Sequence, residues 1–125
     1  KNKTDTCDVV IHARRGDVIG DLARHTTNET ITKTVDAAKV LFPTEKICIF
    51  SEGNPEDFEF VKGVELHLNG SIKDSFHSMV TAPHLVIANS SYSYTAGILN
   101  DNDVLYTNPD WWHKPLSHWK LLNLS

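Results

Sequence analysis

The stretch "DVVIHARRGD", residues 8–17, decides the fold. Val9, Val10 and Ile11 are consecutive β-branched residues, so Asp8 to Ala13 reads as a strand covered on both faces, the kind found inside a parallel sheet. Arg14, Arg15 and Asp17 follow at its carboxyl end. Arg15-Gly16-Asp17 is also an adhesion tripeptide, which needs an exposed, mobile loop tip. Here it abuts a strongly β-forming run and its arginine is one of a pair. The better reading is therefore an anion-binding edge, with the adhesion reading kept as a distant alternative.

Working outward, apolar runs alternate with helical patterns. Thr26-Thr27-Asn28-Glu29 has the spacing of a capping box, and Ile31, Val35, Ala38 and Phe42 then recur on one helix face until Pro43 ends it. Ile47 to Phe50 is a second strand. Asn54-Pro55-Glu56-Asp57 opens a short helix with proline in its first turn. Val64 to Leu68 is a third strand, closed by Asn69-Gly70. Ile72, Phe76, Met79 and Val80 mark a helix ending by Pro83, and Leu85 to Ala88 is a fourth strand. After the polar turn Asn89 to Ser93, Ala96, Ile98 and Leu99 continue helically. Asp103 to Tyr106 is a fifth strand, and the tail holding Trp111, Trp112, Pro115 and Trp119 is irregular or short-helical. Strands separated by helices give βαβ units: an α/β, Rossmann-like single domain whose parallel sheet is flanked by helices on both faces.

The bulk numbers agree with one globular domain. The chain has 125 residues, 40% of them hydrophobic and 22% charged, and a net charge of −4, which gives no basic footprint for nucleic acid. Its apolar runs are far too short to span a membrane. It opens on Lys1 with no visible signal peptide, as expected of a segment of a longer protein. Sequons at Asn2, Asn28, Asn69, Asn89 and Asn123 hint at the secretory pathway. Two parallel neighbouring strands would bring Cys7 and Cys48 close, yet burial as free thiols is the expected state, and no metal spacing links them to histidine.

Ligands of open parallel sheets bind beyond the carboxyl ends of the strands. Those ends are followed here by Arg14, Arg15 and Asp17; by Ser51, Glu52 and Gly53; by Asn69 and Gly70, with Asp74 beyond; and by Asn89, Ser90, Ser91 and Ser93. Guanidinium is a rigid fork suited to phosphate oxygens, and a serine-rich turn entering a helix aims hydroxyls and N–H groups at an anion. The set suits the diphosphate of a nucleotide-sugar.

His12-x-Arg14-Arg15-x-Asp17 after a buried strand resembles the HxRRxD motif of the α1,2-, α1,6- and protein O-fucosyltransferase superfamily. "DSFHSMVTAPHLVIANSSYSYTAGILN", residues 74–100, is similar to the later block of the α1,2 group, and "IFSEG", residues 49–53, to its turn after the second strand. The likeness runs over roughly residues 8 to 112. Tyr94-Thr95 and Val18 depart from the patterns of the α1,2 and α1,6 groups, so it does not extend to a linkage.

The resemblance implies the C-terminal, donor-binding half of a GT-B glycosyltransferase, inverting and independent of metal or other cofactor. The donor would be GDP-fucose, the acceptor a glycan or protein hydroxyl, and the acceptor-binding N-terminal half would lie outside this chain. Residues 1–125 would be one nucleotide-sugar domain, in the Golgi lumen as part of a membrane-anchored parent, with the cytoplasm as the alternative, and with no membrane contact of its own. By the same resemblance Arg14 holds the β-phosphate and neutralises charge on the departing GDP. His12 lies close to the nucleotide. Arg15 sets the loop and, by strand alternation, faces away from Arg14. Asp17 braces the arginines or takes part in catalysis. Asp21 is a general-base candidate, with a solvated loop acid the plainer reading. Asp74 or its neighbour Ser75 faces guanine, and Ser51, Ser90, Ser91 and Ser93 fall on phosphate-side turns. A module that binds nucleotide without transfer is the alternative. Glu52 either lines the site or faces water, His77 belongs to a polar helix face, His25, His67, His84, His113 and His118 show no ligand-like pattern, and the tryptophans are expected to pack the tail.

Overall fold

The computed structural model describes residues 7–15, 26–108, 114–122 and 124. Six strands, β1 (Val9–His12), β2 (Ile47–Ser51), β3 (Glu65–Leu68), β4 (His84–Val86), β5 (Asp103–Tyr106) and β6 (Lys120–Leu121), make one sheet in the order β3-β2-β1-β4-β5-β6. Every pairing is parallel. The order runs one way from β1 through β2 to β3 and the other way from β4 onward, the doubly wound arrangement of a Rossmann-like domain.

Helix α1 (Asn28–Leu41) covers one face and helices α2 (Ile72–Thr81) and α3 (Ser91–Leu99) the other. Pleating sorts the side chains accordingly. Val9, Ile11, Ile47 and Ile49 pack with Ile31, Val35 and Ala38 of α1. Val10, Cys48, Phe50 and Leu85 pack with Met79 of α2 and Ala96 of α3. This two-sided burial is why the strands read as unbroken apolar runs. Each buried valine, leucine, isoleucine, phenylalanine or methionine among them contributes about 1.5–3 kcal/mol.

Three details differ from the sequence reading. Cys7 and Cys48 are not free thiols: they form a disulfide with Sγ–Sγ 2.06 Å and Cα–Cα 5.9 Å. Val9 lies opposite Ile47 in the β1–β2 register, so the residues just before β1 run beside the start of β2. The helix cap is Thr27, whose Oγ1 accepts from Thr30 N at 3.1 Å; Thr26 Oγ1 instead accepts from Arg14 N at 2.8 Å. The crossover from β2 to β3 carries the expected short helix with proline in its first turn, in 3-10 form at Pro55–Phe58. The tail adds β6, held beside β5 by Leu122 N donating to Tyr106 O at 2.8 Å, with Trp119 buried just before it. Among the described residues no helix is long and apolar enough to cross a membrane.

Candidate functional site

β1 and β4 are neighbours at which the chain winding reverses, and their carboxyl ends open a crevice there. Two cavities flank His12 at this edge. One, of about 350 Å³, is lined among others by Arg14, Ser51, Glu52, Ser75 and Tyr92. The other, of about 310 Å³, is lined by Thr26, Thr27, Thr30, Thr34, Thr107, Asn89 and Asn108 with an apolar floor. His12 borders both.

His12 is 8% exposed, and its Nδ1 has no hydrogen-bond partner among the described residues. Burial, and then the neighbouring Arg14 charge, lower its pKa from 6.5 to about 4. The imidazole is therefore neutral near pH 7. Its ring meets the Tyr92 ring edge-on at 5.7 Å.

The two arginines diverge, as strand alternation requires. Arg14 lines the larger cavity, and its backbone is clasped on both sides: N donates to Thr26 Oγ1 and O accepts from Thr26 N, each at 2.8 Å. Arg15 turns to the opposite side. Its Nε donates to Thr26 O at 3.0 Å, its Nη2 donates to Asn28 Oδ1, and its guanidinium carbon lies 5.1 Å from the Phe58 ring centre. Burial lowers the Arg15 pKa, with Asp57 acting in the other direction. Arg15 thus fastens the chain just after β1 to Thr26 and to Asn28 at the start of α1.

Ser51 sits on the cavity wall, its Oγ donating to Ala13 O at 2.7 Å, and Glu52 follows it there. The loops after β2 and β3 are locked together by Asn69, whose Oδ1 accepts from Gly53 N at 3.1 Å and whose Nδ2 donates to Gly53 O at 2.8 Å. Gly53 has φ +126°, a conformation that favours glycine, and a Cβ there would stand 2.8 Å from Asp57 Oδ2. Asp74 is exposed in the first turn of α2; its successor Ser75 is the residue that lines the cavity.

The serine turn is built differently from its sequence reading. Ser90 caps α3, its Oγ accepting from Tyr92 N at 3.1 Å. Ser93 is fully buried and its Oγ accepts from Ala88 N at 3.0 Å. Ser91 is exposed at the start of the helix. None of the three lines either cavity. Tyr92, between them, does: its hydroxyl donates to Ile72 O at 2.5 Å, bridging α3 to α2, and burial raises its pKa. Sequence reasoning placed the hydroxyls of this turn and passed over Tyr92, which stands between Ser91 and Ser93.

Asp17 and Asp21 lie outside the described residues, as do Trp111 and Trp112. Trp119 packs the tail onto the domain, edge-on to Tyr94 at 5.3 Å. Compared with protein-family models, curated proteins and solved structures, the chain matches none.

Proposed function

We propose that the cavity beside His12 takes the diphosphate of a nucleotide-sugar, and that the chain is the donor-binding half of an inverting, metal-independent glycosyltransferase. The observation that carries this reading is Arg14: it is the cationic side chain among the lining residues, at the carboxyl end of the central strand. Guanidinium pairs with phosphate oxygens through parallel N–H donors, and more strongly as charge builds on the leaving diphosphate. The neutral His12 beside it adds hydrogen-bonding capacity without a second charge, and Ser75 and Tyr92 offer polar groups to a base or ribose.

The likeness to the fucosyltransferase motif supports GDP-fucose as donor. An acceptor hydroxyl attacks the anomeric carbon, the bond from that carbon to the β-phosphate oxygen breaks, and GDP departs with its charge balanced by Arg14. Asp17 and Asp21 are the candidate acids for orienting the arginines and taking the hydroxyl proton. The disulfide and the five sequons favour an oxidising compartment, in keeping with the Golgi lumen.

Calorimetric titration with GDP, GDP-fucose, UDP and ADP, repeated on Arg14→Ala, tests the reading. Guanine-selective binding that the variant loses is the expected result. Equal, weak binding of all four, untouched by Arg14→Ala, would sink it. Tight GDP binding with no transfer after supply of the acceptor-binding half would favour a purely binding module.

A further inference from the structure

Beside the Phe50 ring, which lines the Arg14 cavity, four donor groups of β2, β3 and the segment before β1 meet. Cys48 lies opposite Glu65 in the β2–β3 register, and His67, two residues on, projects from the same face of β3. The His67 ring stacks on Phe50 at 4.5 Å and 11°, which fixes its direction. Cys7 enters from the segment before β1. Its Sγ is 3.7 Å from His67 Nε2, Cys48 Sγ is 4.0 Å from Glu65 Oε2, and all four donor atoms lie within 4.8 Å of one another.

We propose that this cluster is a binding site for a zinc-class divalent cation in the reduced chain, and that metal and disulfide are alternative occupants of one place. Bond lengths of about 2.0–2.3 Å in a tetrahedral site put ligand atoms about 3.3–3.8 Å apart. The Cys7–His67 and Cys48–Glu65 separations are close to that. The two shorter ones are the S–S bond, at 2.06 Å, and the His67–Glu65 hydrogen bond, at 2.5 Å. A reductant opens the first, and the second yields when His67 takes the tautomer with its proton on Nδ1, leaving Nε2 and Oε2 as ligands.

The chemistry balances. A dithiol delivers two electrons and two protons; the S–S bond breaks, two thiols form, and the reductant closes to its own disulfide. The cation then displaces both thiol protons, and His67 binds it through Nε2 as the neutral imidazole with its one N–H on Nδ1. Lys46 Nζ already holds Glu65 through Oε1 at 3.2 Å, leaving Oε2 turned to the cluster and offsetting the negative charge of two thiolates and a carboxylate. Cys48 is buried, but the side chains of His67 and Glu65 are 36% and 45% exposed, so a cation reaches the site from the edge strand.

The test is anaerobic titration of the whole chain with Co²⁺, once oxidised and once reduced with a phosphine, followed by visible absorption and circular dichroism. The reduced chain is expected to bind one Co²⁺ with thiolate-to-cobalt charge transfer and the intense bands of a tetrahedral ion; the oxidised chain shows neither. His67→Ala and Glu65→Gln each weaken binding by about tenfold or more. Should reduction unfold the chain, refolding on addition of Zn²⁺ supports the site, and failure to refold or bind overturns it. Equal affinity in oxidised and reduced chains, or in both variants and the parent, overturns it too. None of these readouts depends on whether a nucleotide binds.

Discussion

The Trp119 indole lies directly over Gly97: a Cβ added to the glycine would come 2.9 Å from Cζ2 and 3.3 Å from a methyl of Val104. The missing side chain lets α3 approach both β5 and the C-terminal tail. Gly97→Ala is expected to cost about 1–3 kcal/mol through overpacking, despite the better helix propensity of alanine. At about 3–5 °C per kcal/mol for a chain of this size, thermal unfolding reads it directly. An unchanged midpoint would mean that the tail yields freely.

Asn100 is 2% exposed, and its Nδ2 donates to Met79 O at 2.9 Å and Ala82 O at 3.0 Å. It thereby satisfies the last carbonyls of α2 from the end of α3. Asn100→Ala removes both of these bonds and the acceptor of Asn102 N, while Ala82 N still donates to Met79 O at 3.4 Å and Asn102 Nδ2 to Ala82 O at 3.2 Å, and should lose about 1–3 kcal/mol in urea unfolding. Asn100→Asp should do no better, since a carboxylate cannot donate to either carbonyl.

The disulfide closes a loop spanning 41 positions. Loop-closure entropy assigns about 4 kcal/mol to such a link. Comparing urea midpoints with and without reductant, with a chelator in both, measures this apart from any metal effect. A difference below about 1 kcal/mol would show that the tie is thermodynamically idle.

His12 titrates near pH 4 in the folded chain and near 6.5 when exposed. Between those values the unfolded chain takes up a proton that the folded chain refuses, so stability falls as pH is lowered through that window. Above pH 6.5 the contribution vanishes. The full effect is about 3 kcal/mol by pH 4. His12→Phe should show a shallower loss of stability from pH 6.5 to 4 than the parent; parallel curves would contradict the buried, neutral assignment.

The parallel sheet was legible because Val9 to Ile11 and Ile47 to Phe50 are apolar on both faces, and because α1 keeps a clear apolar stripe. β6 was not, since a two-residue strand carries no pattern and forms through backbone pairing alone. The start of α1 was off by one because Thr26 and Thr27 both carry a capping hydroxyl, and only the approach of Arg14 N decides between them. Arg14 and Ser51 were found at the cavity from strand ends alone. The inward turn of Ser90 and Ser93, and the place of Tyr92, depend on how α3 meets α2. The Cys7–Cys48 bond and its neighbour His67 depend on strand order, which residues 7, 48 and 67 do not encode by spacing.

β1 and β2 are welded at their amino ends by Cys7–Cys48, while Arg14 and Ser51 emerge from the carboxyl ends of the same two strands. The other ends are tied as well, Ala13 N donating to Phe50 O at 3.1 Å and Ser51 Oγ to Ala13 O at 2.7 Å. Fastened above and below like a ladder with both end rungs in place, the two strands hold Arg14 and Ser51 in register before any ligand arrives.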